Sequence, residues 1–280
     1  MSKLNTIYII SKGRPQCKTA EVLTRMKYTG EWFIVCGNND DTLNEYKKNW
    51  GENRILEFDW YREVEESNLL DNFGVETMSS GAVPVRNATQ KISRDRGELR
   101  HWQMDDDFTG FYLIDKEFKK FKRINNGAIF EHELNKISSF AYDTSLANVG
   151  ICMGSESYPK LSRKFSKRVF GVHNMSSEDS LFVKWRGRMN DDLINAIDVY
   201  HSGKMEMTLM FMNFVFKKTQ AEKGGNTDIY KLSGTVRKTA YAVMVEPNAT
   251  SLVIDFGRYH HYVDWKKITP KLIRASYAKV

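Results

Sequence analysis

Cysteine, proline and long apolar runs are scarce in this chain. Cys17, Cys36 and Cys152 are its three cysteines, odd in number and far apart. That excludes a stapled disulfide framework and a cysteine-based metal knuckle, and fits a reducing compartment. No stretch approaches the ~18 continuous apolar residues of a membrane-spanning helix. The opening MSKLNTIYII runs straight into an apolar strand without a cleavage site, so neither a signal peptide nor a membrane partner is expected. A GxxxxGK[ST] run is missing, which excludes a P-loop nucleotidase, and no GxGxxG follows the first strand, which argues against a dinucleotide fold. Internal repeats, low-complexity tracts and a long polar linker are likewise absent.

With 280 residues and 41% hydrophobic content the chain can bury a full core, and one domain over residues 1–280 is expected. Apolar, β-branched runs at Asn5–Ile10, Trp32–Cys36, Arg54–Phe58 and Arg100–Met104 read as strands. Helical spacing separates them at Thr19–Tyr28, Thr42–Trp50 and Pro84–Arg96, the last with Pro in its first turn. Strands alternating with helices predict a parallel sheet with right-handed crossovers, whose ligands sit beyond the carboxyl ends of the strands. Further strands are expected at Gly110–Ile114, Val149–Met153, Val169–His173, Met207–Phe216, Ala240–Val245 and Ser251–Phe256, with a helix at Asp191–His201 and a flexible turn at Gly224–Thr227. These later elements read as a mixed sheet that continues the first half.

Two segments fall at carboxyl ends of early strands and carry chemistry. Ser11, Lys12, Gly13 and Arg14 follow the first strand and precede a helix, a loop suited to holding a nucleotide by close backbone approach and cationic contact. The fourth strand ends in Asp105, Asp106 and Asp107, which repel one another. On an extended backbone Asp105 and Asp107 point the same way and offer hard oxygen ligands to Mn²⁺ or Mg²⁺, with Asp106 facing elsewhere. A solvated acidic turn is the plainer reading of the same run. The two segments should share one cleft.

The net charge is +7, and the cations cluster with aromatics. KEFKKFKR (116–123) supplies Lys119, Lys120 and Lys122; KLSRKFSKR (160–168) supplies Arg163, Lys164, Lys167 and Arg168; KWRGR (184–188) supplies Arg186. Interleaved Phe118, Phe121, Phe165 and Trp185 add rings that can stack on bases, so these residues are candidates for nucleic-acid contact.

The ISKGRP start, the RHWQMDDD strand, the N-D-D-L segment at 190–193 and the late R-x-H-H-x-V-D-W run resemble the TET-associated glycosyltransferases, a largely phage family of GT-A nucleotide-sugar transferases that glycosylate hydroxymethylated pyrimidines in DNA. The resemblance spans Ile7 to Trp265 through short motifs. It implies a GT-A-like, Rossmann-related α/β fold, a mixed sheet flanked by helices in a single domain, with residues 1–107 as nucleotide-binding half and 108–280 as acceptor-binding half. It implies a UDP-sugar donor, a metal, and DNA carrying 5-hydroxymethylcytosine as acceptor, in the cytoplasm or, if phage-encoded, the host cytoplasm; a glycan acceptor and a non-catalytic DNA-binding protein stand as alternatives. Under it Asp107 is the direct metal ligand, Asp105 acts on metal through water or holds the donor, and His260 or His261 completes the shell. Ser11, Lys12, Gly13, Arg14, Arg86, Asp105 and Asp106 contact the donor. Asp191 or Asp192 is the general base, with helix capping as the competing role. Asp107→Asn is expected to abolish activity and Asp106→Asn to be the mildest of the three. The sugar, the stereochemistry and the oligomeric state are left open.

Overall fold

The computed structural model describes residues 4–67, 81–115, 117, 120–154, 165–166, 168–216, 227–255 and 257–270. Lys119, Arg163, Lys164, Lys167, Phe118 and the Gly224–Asn226 turn therefore lie outside the described residues. Among the described residues the strands are β1 (Thr6–Ile10), β2 (Trp32–Gly37), β3 (Ile55–Phe58), β4 (Arg100–Asp105), β5 (Phe108–Ile114), β6 (Phe121–Arg123), β7 (Asn148–Met153), β8 (Phe165–Ser166), β9 (Val172–Ser176), β10 (Glu206–Phe216), β11 (Thr250–Asp255) and β12 (Arg258–Val263). The helices are α1 (Lys18–Arg25), α2 (Leu43–Trp50), α3 (Trp60–Ser67), α4 (Val83–Asp95), α5 (Gly127–Asp143), α6 (Asp191–His201), α7 (Thr227–Val245) and α8 (Trp265–Ile268).

Ten strands form one mixed sheet in the order β3-β2-β1-β4-β9-β7-β10-β5-β6, with β8 paired to β10. β3, β2, β1 and β4 run parallel, as βαβ crossovers require. Every residue of β1 is buried, consistent with a central strand covered on both faces. In the β1–β4 register Ile10 lies opposite Asp105, so the loop after β1 and the acidic end of β4 emerge side by side. Beyond β4 the pairing turns antiparallel, to β9 and then to β7. The main core joins Ile7, Ile9, Trp102 and Met104 with Phe108, Phe111, Phe130, Leu134 and Phe214.

Two late expectations need correction. Residues 240–245 are the last turns of α7, not a strand; Tyr241 and Ala242 are buried, so the apolar run serves a helix face. β11 and β12 pair with each other in a separate two-stranded sheet and do not extend the main one. Leu193 and Ile197 of α6 pack there with Ala242, Ala249, Val263 and Ile268. The 17-residue α5 was not anticipated, although Asn126 caps it by accepting from the backbone N–H of Ala128 and Ile129.

Candidate active site

The loop after β1 is locked before any ligand arrives. The Ser11 hydroxyl meets the Tyr46 hydroxyl at 2.6 Å and donates to one oxygen of Asp106. The other Asp106 oxygen takes Nη1 of Arg14 at 2.8 Å. Gly13 has φ +66°, a left-handed geometry that glycine adopts without strain. Its N–H donates to Asp40 Oδ2 at 2.8 Å, while Asp40 Oδ1 takes the Thr42 N–H at 2.9 Å. The Arg14 N–H donates to Tyr46 at 2.8 Å. Lys12 is exposed and lies 4.7 Å from the centroid of the Trp60 ring. Asp106 is thus a buried bracket between β4 and the loop: it holds Ser11 and Arg14 in place.

Asp105 turns to a different partner. Arg86, buried on α4, places Nη2 at 3.1 Å from Asp105 and Nε at 3.1 Å from Asp191, with Asp192 at 3.5 Å from Nη2. Its guanidinium lies 4.6 Å from the Trp185 ring centroid, and its Nη1 is buried without a hydrogen-bond partner. One cation therefore faces three carboxylates. Burial raises the Asp105 carboxyl well above its usual range; Arg86 opposes this, while the charges of Asp192, Asp107 and Asp191 add to it. Burial and the neighbouring Asp192 charge push Asp191 up to about 6. Asp192 goes the other way: burial would raise it, but Arg86 and His173 hold it below the ordinary carboxylate value. Asn190, in a left-handed conformation at φ 58°, starts α6 without a side-chain cap bond, so both acids of the first turn point into this cluster.

Among the described residues no three His, Cys, Asp or Glu side chains are gathered at a spacing that could hold a metal ion. The set Asp105, Asp107 and His260 or His261 is therefore not assembled as a shell. His260 lies opposite Val253 and His261 opposite Leu252 in the β11–β12 pair. Arg258 Nε is 3.0 Å from Nε2 of His260. Burial and the charges of Lys238 and Arg168 push the His261 imidazolium down to about 4, so this ring is neutral near pH 7. The acidic end of β4 still fits a cation that brings most of its own ligands. Mg²⁺ and similar ions usually take one or two carboxylates plus substrate phosphates, and the crowding of negative charge at Asp105 is what such an ion relieves.

The profile of the TET-associated glycosyltransferases matches residues 5–225. The chain belongs to that family. This TET-associated glycosyltransferase superposes on a crystal structure of a mycobacterial protein with a TM-score of 0.51 at 8% identity, over 93% of this chain and 83% of that one. That likeness supports the mixed α/β, GT-A-like fold and nothing finer. No curated protein matches the chain. The family match ends at residue 225, so α7, β11, β12 and α8 lie beyond it.

Among the described residues the basic candidates of this glycosyltransferase are Lys120, Lys122, Arg168 and Arg186. Lys120 and Lys122 are exposed beside and on β6, and Arg168 lies over the Phe170 ring at 5.6 Å. Arg186 makes a bidentate pair with Asp198, at 2.7 and 2.8 Å. Trp185 is fully buried under Arg86 and cannot stack on a base. Two participants escaped sequence reading, His173 and Tyr46. His173 Nε2 lies 2.9 Å from Asp192 Oδ1. His173 follows an apolar run and Tyr46 sits among the polar residues of α2, and nothing in the local spacing of either marks a partner tens of residues away. No helix among the described residues is long and apolar enough to cross a membrane.

Proposed function

We propose that this glycosyltransferase moves a sugar of the arabinose or glucose type from a UDP-sugar to the hydroxymethyl group of 5-hydroxymethylcytosine in phage DNA, with Mn²⁺ or Mg²⁺ on the donor diphosphate. The observation that carries the reading is the β1–β4 register, Ile10 beside Asp105, which sets a cation-bearing loop against a carboxylate cluster at the carboxyl edge of parallel strands. Asp105 and Asp107 would hold the metal together with the diphosphate, and the metal supplies Lewis-acid stabilisation of the leaving charge. Lys12 and Arg14 add positive charge on the loop side, Arg14 already steered by Asp106. Asp191 and Asp192 supply the carboxylate that takes the acceptor hydroxyl's proton. A carboxyl raised to about 6 is ionised at neutral pH yet more basic than an exposed aspartate, which suits that role.

DNA as acceptor is favoured by the family, by the net charge of +7 and by the cations Lys120, Lys122 and Arg168. The C5 substituent of cytosine faces the major groove, and extrusion of the base would bring it to the aspartates. The test is to incubate the protein with Mn²⁺, a panel of UDP-sugars and DNA containing hydroxymethylcytosine, then to weigh the released nucleosides. A hexose or pentose added to hydroxymethylcytosine is the expected result. Sugar transfer to oligosaccharides with none to DNA would overturn the acceptor; DNA binding without consumption of any UDP-sugar would overturn the donor.

A further inference from the structure

His173, Asn148 and Glu206 are buried, come from three strands, and form a continuous line that ends on Asp192. Asn148 Nδ2 is 3.1 Å from Glu206 Oε2 and 3.0 Å from His173 Nδ1. An amide nitrogen only donates, so His173 Nδ1 carries the lone pair and its ring proton sits on Nε2, facing Asp192 Oδ1 at 2.9 Å. Burial disfavours the imidazolium, which keeps the ring a neutral donor. The far end is anchored. Glu206 Oε1 takes the Val169 N–H at 2.9 Å, and the Glu206 carbonyl takes the Tyr200 hydroxyl at 3.0 Å. Trp185 packs edge-on to the His173 ring, with centroids 4.9 Å apart at 86°.

Asp191 and Asp192 are otherwise near twins. They are neighbours in the first turn of α6, they share Arg86, and their side chains are 14% and 13% exposed. His173 breaks the symmetry. Its Nε2–H meets Oδ1 of Asp192, the same atom that faces Arg86 Nη2. An oxygen that accepts one hydrogen bond and also faces a guanidinium 3.5 Å away is a weak proton acceptor. Asp191 meets Arg86 through Oδ2 at 3.1 Å, whereas the His173 hydrogen bond goes to Asp192. The titratable and charged groups facing the pair are Arg86 from α4, Asp105 from β4, His173 from β9, Arg168 before β9, and Glu206 from β10.

We propose that His173 is a positioning residue: it fixes Asp192 as the anion opposite Arg86 and so leaves Asp191 as the carboxylate that takes the acceptor's proton. This rests on the transfer reading above. In the step, the acceptor oxygen bonds to the anomeric carbon, the bond from that carbon to the diphosphate oxygen breaks with its electron pair leaving on the diphosphate, and the hydroxyl proton passes to Asp191.

The test compares His173→Leu, His173→Gln and Asp191→Asn in the intact chain, each checked by thermal melting, under the Mn²⁺, UDP-sugar and DNA conditions above. His173→Leu is expected to lower kcat by about 10- to 100-fold with donor KM nearly unchanged, as for other residues that orient a reacting group. His173→Gln, whose amide N–H can still reach Asp192, is expected to recover most of that loss. Asp191→Asn should lower kcat by at least about 100-fold. Equal kcat in His173→Leu and wild type, or an equal loss in the Leu and Gln variants, overturns the positioning role; full activity in Asp191→Asn overturns the division of labour. A second readout needs no turnover. ¹⁵N NMR of the substrate-free protein should show the His173 ring neutral and protonated at Nε2, with its signal displaced in Asp192→Asn. A ring protonated at Nδ1, or indifferent to Asp192→Asn, overturns the proposal even if the unmutated protein transfers sugar, while failure of transfer with the expected ring signal counts against the acceptor or donor alone.

Discussion

Two arginines are buried at opposite ends of one strand and are held in opposite ways. Arg100 opens β4, and its donors meet neutral oxygens: Nε to Asn174 Oδ1 at 2.7 Å, Nη1 to Leu146 O at 2.7 Å and Nη2 to Asn174 O at 2.8 Å. Arg86 faces the other end of β4, is shared among Asp105, Asp191 and Asp192, and keeps a buried Nη1 with no partner. Burial pulls the Arg100 guanidinium down to about 10, whereas the carboxylates around Arg86 outweigh its burial and push it up. A cation whose three nitrogens each meet a neutral oxygen ties strands together. A cation outnumbered by carboxylates leaves net negative charge, which draws in a further cation and not an anion.

The comparison predicts a hierarchy of effects. Arg86→Leu leaves three carboxylates crowded without their cation, and should lower kcat/KM by at least about 100-fold and stability by about 3–5 kcal/mol. Steady-state kinetics and urea unfolding read both; an active variant would erase the contrast with Arg100. Next comes Glu206, a buried acid held by the neutral donors Asn148 and Val169, the mirror image of Arg100. Burial lifts its carboxyl from 4.5 to about 8. The folded state then holds the proton more tightly than the unfolded chain, so this contribution is intact below about 4.5 and declines as pH rises toward about 8. Relative to Glu206→Gln, the wild type should lose up to about 5 kcal/mol across that window, measured by melting at successive pH values. Arg100→Met should cost about 3 kcal/mol by orphaning buried oxygens, yet leave kcat of the folded enzyme within about twofold. A large kcat loss there would make both arginines functional. Asp106→Asn weakens the bracket on Ser11 and Arg14, and should cost about 2 kcal/mol and raise donor KM more than it lowers kcat.

The first four strands were legible in the sequence because local signals agree there. Short β-branched runs punctuated by Gly, Pro and Asn place β1 to β4, and the expected helix at Asp191–His201 matches α6 at both ends. The alternation of strands and helices was enough to set the Ser11 loop beside the acidic triplet, because parallel topology dictates it. Long-range pairing was not legible. His173 reads as one polar residue in an apolar strand, and only the β4–β9–β7 order brings it to Asp192 and Asn148. Trp185 looked like a surface ring among cations, yet Arg86 stacks on it from within. The end of α7 was misread because a six-residue apolar run fits a strand or a helix face equally.

α6 is a lever with two loads. Its first turn presents Asp191 and Asp192 to Arg86, and its next turns, through Leu193 and Ile197, rest on the lobe of α7, β11, β12 and α8. That lobe lies after residue 225, where the family match ends, while the Ser11 loop hangs from Tyr46, Asp40 and Asp106. Remodelling the appended lobe would shift the two aspartates while leaving the nucleotide-side bracket untouched. A substitution in the hydrophobic seat beneath α6 therefore reaches the two aspartates without touching them.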